Sequence, residues 1–278
     1  MTTTALHAPC SSVSAKSEGR LVVSVNAWAS LSANQAMIDA LRRAPGELQG
    51  RDLPSSFLKY AEEQSVCGFA AVLKAIHDAG HAIDAYREWG VIAAPRFPGR
   101  GQVGVSIARF FDQGVKGISP HAIPQNSLHS LSGVVSVGLG MGGPNLGAGG
   151  GLGAISEGLV TAFSMLAERR VPGFWFVATA WDREPIPQKN GRIVAEGTCY
   201  AVALALSALD GPAEGLCLSF DPAVDAAREP SRSGVDSVGV VIELSEALRR
   251  DTPASCGAIW KLELDWGAEV ALSQQHSS

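Results

Sequence analysis

The chain has few of the residues that usually announce a chemistry. Its 278 residues include five cysteines, Cys10, Cys67, Cys199, Cys217 and Cys256. Their number is odd, they lie far apart and none forms a C-x-x-C pair. That excludes a disulfide frame and a cysteine zinc site, and it fits reduced thiols in a cytoplasmic protein. Histidine is sparse as well: six in all, with only His276 after His129. There is no Lys/Arg run, the net charge is −5 and the pI is about 5.7. No nucleic-acid partner is therefore expected. No long apolar run is uninterrupted. Val134–Val160 is broken by glycines, by Pro144 and Asn145 and by Glu157, so it reads as strand, loop and helix and not as a membrane span. Met1–Gly19 lacks the charged start and apolar run of a secretory signal. It is expected to be a disordered tail, as is Gln274–Ser278.

Hydrophobic residues make up 46% of the chain and charged ones 18%, enough for one large domain or two fused halves with a sizeable core. Periodicity gives a coarse map. Leu21–Asn26, Trp89–Ala94, Gly173–Trp181, Cys199–Leu209, Gly215–Phe220, Ile259–Trp266 and Glu269–Ser273 read as strands. The second and third of these are apolar enough to be buried on both faces. Asn34–Arg43, Leu58–Ala79, Val103–Asp112, Ser127–Leu139 and Ala154–Glu168 read as helices. Ser237–Leu244 reads as a strand running into a short helix, Ser245–Arg250. Gly46–Ser56, Gly114–Pro124 and Pro222–Gly234 read as loops. Strands alternating with helices imply an α/β fold. Asp182–Gly191, polar and with two prolines, divides a first half, residues 20–185, from a shorter half, residues 186–273, of the same domain.

The densest signal is the run from Gly143 to Gly158, Gly-Pro-Asn-Leu-Gly-Ala-Gly-Gly-Gly-Leu-Gly-Ala-Ile-Ser-Glu-Gly. Glycines before a helix let backbone N–H groups approach a ligand closely. Upstream, Gly138-Leu139-Gly140-Met141-Gly142-Gly143 formally matches the dinucleotide fingerprint G-x-G-x-x-G. Pro144-Asn145 follow at once, more glycines precede any helix, and no acidic residue ends a second strand at the required distance, so the match is weak. The run instead has the shape of a nucleophile turn leading into a helix, with Leu152 where a nucleophile would stand.

Ser119-Pro120-His121-Ala122-Ile123-Pro124, then Asn126, a small-residue helix, Gly143-Pro144-Asn145-Leu146 and a further helix resemble the N-terminal half of the β-ketoacyl synthases. The resemblance covers about residues 20–185. It implies a thiolase-like αβαβα layered sandwich, here with a shortened C-terminal half. It also implies that the family cysteine falls on Leu152, a residue with no lone pair to attack a carbonyl. The family's two histidines come from its second half, and no His-Gly-Thr segment is present here. A better match within the superfamily is therefore the chain-length-factor type, which keeps the fold but loses the cysteine. Even its usual glutamine is absent at this position.

The resemblance implies as partners an active ketosynthase or a second copy (a dimer) and acyl carrier protein, in polyketide or fatty-acid-type biosynthesis. No cofactor or metal is called for. Gly149, Gly150, Gly151, Leu152, Gly153 and Phe163 would line the former acyl pocket. A different reading is an independent acyl-transferring, cyclising or thioester-hydrolysing enzyme with His129 or His121 as base. Ser127 and Ser130 lie beside His129, yet no orienting acid is evident. A helix–helix contact with satisfied nitrogens is the plainer role for His129. Glu157 is either a buried acid or an anion in the first turn of its helix. Cys67 is expected in the core. Trp175, Phe176 and Trp181 mark either a strand that pairs across a two-fold axis or a buried sheet centre. Arg183-Glu184-Pro185 reads as a solvated connection.

Overall fold

A computed structural model describes residues 19–44, 53–54, 56–120, 122–188, 193–194, 196–209, 211–212, 214–222, 236–250 and 258–275. His121, His276, Cys10, Cys256, the N-terminal tail and almost all of the 222–234 loop lie outside the described residues.

The first strand, β1 (Leu21–Ala33), runs well past the expected end at Asn26. Asparagine is depleted in strands, and here it occupies an irregularity: the register with its neighbour shifts between Val25 and Ala27. Side chains in a strand alternate, so one extra residue exchanges the faces. Val23 and Val25 belong to one core, whereas Ala27, Ala29 and Ala33 belong to the other.

Helix α1 (Gln35–Arg43) is capped by Asn34, whose side chain accepts from Met37 N–H at 3.0 Å. Helix α2 (Glu63–Asp78) starts later than the apolar spacing suggests, because Glu62 caps it through Ser65 N–H. Then follow β2 (Gly90–Pro95), α3 (Arg100–Gln113), the single turn α4 (Ala122–Gln125) and α5 (Ser130–Leu139). The short strand β3 (Asn145–Gly147) lies inside the glycine-rich run and precedes α6 (Ala154–Ala167) and β4 (Gly173–Trp181). Two two-residue strands, β5 (Ile186–Pro187) and β6 (Ile193–Val194), pair with each other. Next come β7 (Cys199–Ala208), β8 (Gly215–Asp221), α7 (Ser237–Arg249), β9 (Ala258–Glu263) and β10 (Glu269–Gln275).

Eight strands form one mixed sheet in the order β3-β2-β4-β7-β1-β8-β10-β9. Strand β2 is parallel to β3 and β4, and the remaining pairs are antiparallel. Helices α6 and α7 cover one face; α1, α2 and α5 cover the other. The later strands β8, β10 and β9 extend this sheet from the far edge of β1, so the shortened second half shares its layers with the first. Strand β7, beyond the expected boundary at 185/186, sits between β4 and β1.

Alternation along β4 supplies both cores. Phe174, Phe176 and Ala178 face α6, while Trp175, Val177 and Trp181 face α2. Burying a side chain such as Phe174, Phe176 or Val177 stabilises the fold by roughly 1.5–3 kcal/mol through loss of contact with water. Strand β4 is hydrogen-bonded to β2 on one side and β7 on the other, so its aromatics mark a sheet centre and no edge is left for a two-fold partner. The segment 237–249 is a continuous helix, not strand then helix. Asp236 caps it through Val238 N–H at 3.2 Å, and Val240, Val241, Leu244 and Leu248 share its buried stripe. The β-branched run Val238–Ile242 misleads because packing overrides intrinsic propensity.

The G-x-G-x-x-G match dissolves in the structure. Gly138 lies inside α5, where a Cβ would lie 2.6 Å from the Phe69 ring, and Gly140 ends that helix at φ +67°. These glycines close a helix; a dinucleotide fingerprint opens one. No helix among the described residues is long and apolar enough to cross a membrane.

Candidate functional site

In open α/β sheets, ligands bind beyond the carboxyl ends of the parallel strands. Here three segments leave that edge: Arg96-Phe97 after β2, Ala148–Gly153 after β3 and Asp182–Glu184 after β4. Backbone bonds tie them together. Arg96 N–H donates to Thr179 O at 2.8 Å, Ala148 N–H to Ala93 O at 2.8 Å and Phe97 N–H to Gly150 O at 3.2 Å. Phe97 adopts φ +49°, a conformation uncommon for a bulky residue.

The turn itself depends on Gly149. Its φ is +77°, and a Cβ would lie 2.4 Å from Ala154 Cα. Leu152 is at the apex, 52% exposed, just before α6. Its carbonyl accepts from both the N–H and the hydroxyl of Ser237, the first residue of α7. The same hydroxyl accepts from Ile155 N–H at 3.3 Å. Ser237 thus satisfies one of the orphan donors at the start of α6, where the capping residue Gly153 has no side chain to do so. Both hydrogen-bonding functions of this buried hydroxyl are committed to holding the turn, so it is not poised as a nucleophile.

A charge cluster underlies the turn. Arg96 Nη1 lies 2.6 Å from Glu184 Oε1. Arg96 Nε is 2.8 Å from Asp236 Oδ1 but off the N–H line, so that contact is electrostatic and not a hydrogen bond. Burial pushes the Glu184 carboxyl above the usual range, against the pull of Arg96 and Arg100. Glu184 is therefore an anchor of the site, not part of a solvated connection. On the α2 side, Glu62 is buried and accepts from Gly99 N–H at 3.3 Å and Ser65 N–H at 3.0 Å. Burial, helped by the neighbouring Glu63, pushes its carboxyl up to about 8.

The structure gathers Gly149, Gly150, Gly151, Leu152 and Gly153 at the turn. It separates Phe163 from them: ten residues from Gly153 along α6 is about 15 Å. The Phe163 ring packs on Phe220 in the core at 5.4 Å between centroids. Glu157 is exposed in the first turn of α6, so the buried-acid alternative falls. His129 is also exposed, and its ring has no hydrogen-bond partner among the described residues, so the satisfied helix–helix contact is not what forms. It borders a cleft of about 330 Å³ with Phe57, Ser130, Val134 and Val137. Ser130 Oγ bonds Ser65 Oγ at 2.6 Å and Ser127 Oγ bonds Pro124 O, so neither hydroxyl is activated by the imidazole. Cys67 is wholly buried, its Sγ 3.7 Å from Cys199 O.

Arg96, Glu184, Asp236, Ser237 and Glu62 are residues that sequence reasoning missed. The available signals were slight: an arginine ending the apolar run Trp89–Ala94, and an Asp-Ser pair before a helix.

No protein-family model matches the chain, and no curated protein matches it. Solved structures do. A chain in the structure of a ketosynthase in complex with its chain length factor from Xenorhabdus doucetiae aligns with a TM-score of 0.57 at 13% identity. The alignment covers 91% of this chain and 100% of that one. A beta-ketoacyl synthase from Burkholderia phymatum aligns with a TM-score of 0.48 at 16% identity, over 82% of this chain and 71% of that one. At such identities the likeness is one of architecture: the chain has the thiolase-like fold of the ketosynthases and their chain length factors.

Proposed function

We propose that this chain is a non-condensing, chain-length-factor-like subunit. It pairs with an active β-ketoacyl synthase and works with acyl carrier protein in polyketide or fatty-acid-type biosynthesis. The observation that carries this reading is Leu152: the apex of the turn before α6, where a thioester nucleophile would stand, holds an aliphatic side chain with no attacking atom. Two further facts support it. The buried Cys67 and Cys199 belong to the α2-side core, away from the turn. The chain that this one covers in full comes from the structure of a ketosynthase in complex with its chain length factor.

Affinity purification of the tagged protein from its native host, with native mass spectrometry of the complex, tests the pairing. A stoichiometric ketosynthase is the expected result; a homodimer alone refutes it. Leu152→Cys by itself is expected to give no condensation product, because the turn has no histidine beside it among the described residues to stabilise the enolate. A ketoacyl product from that variant would overturn the reading.

The His129 cleft favours a second reading, an acyl-handling enzyme with an exposed imidazole beside an apolar wall. It predicts hydrolysis of an acyl-pantetheine thioester that is lost in His129→Ala. Equal rates in the two proteins remove it.

A further inference from the structure

We draw no further inference here: the strongest candidate, the side-chain cluster of Cys67 on α2 and Cys199 on β7, is wholly buried, and burial pushes the Cys199 thiol well above its ordinary range, so the pair offers no accessible thiolate to an oxidant or an electrophile.

Discussion

Glu62 is an acid held in a place that suits its neutral form, and stability should record this as a function of pH. Its carboxyl titrates at about 8 in the folded chain against 4.5 for the free side chain. Between those values the folded state keeps a proton that the unfolded state has lost. Stability is therefore fullest below pH 4.5, falls as pH rises towards 8 and levels off above it, at a slope of about 1.4 kcal/mol per pH unit and about 5 kcal/mol in all. Glu62→Gln removes this slope. The amide has only one oxygen for the two N–H groups, of Ser65 and Gly99, that Glu62 now satisfies. The variant should therefore start about 1–3 kcal/mol less stable at pH 5. By pH 8 it should be the more stable protein, so the two curves cross. Urea denaturation of both proteins at intervals from pH 5 to pH 8 measures this directly, and other titrating groups cancel in the difference. A constant difference across that range would refute the reasoning and mean that Glu62 is ionised in its cap.

The turn before α6 gives two more expectations. Ser237→Ala removes the hydroxyl that accepts from Ile155 N–H and should cost about 1–3 kcal/mol, with faster hydrogen exchange at Ile155 as its local signature. Exchange unchanged at that amide would show that the hydroxyl does not hold the turn. Gly149→Ala combines a left-handed backbone with a 2.4 Å approach to Ala154, and thermal melting should reveal a loss above about 1–2 kcal/mol. A neutral result would place the turn in another conformation.

Where one face of an element decides its state, the fold was legible. β4 ends at the residues that its apolar run marks, and α1 starts at its asparagine cap. Legibility failed where a contact distant in sequence overrides a local preference. β1 passes through Asn26 because its backbone pairs with β7 on both sides of that residue and a register shift absorbs it, with the Asn26 amide donating to Ser207, 181 positions away. The β-branched start of α7 is helical because it buries a stripe against the sheet. Neither partner is visible until the strand order is known.

The candidate site divides in the same way. The glycine turn and Leu152 were readable because backbone geometry at a tight turn restricts residue type over a few consecutive positions. The groups that hold the turn were not. Arg96 and Glu184 are 88 positions apart, and Ser237 and Leu152 are 85. Arg96 and Glu184 converge because β2 and β4 are parallel neighbours that end at one edge of the sheet. Ser237 reaches the same edge because α7 packs beside α6. A parallel sheet places residues from separate crossovers side by side, so the chemistry at its edge is written in strand order and not in spacing.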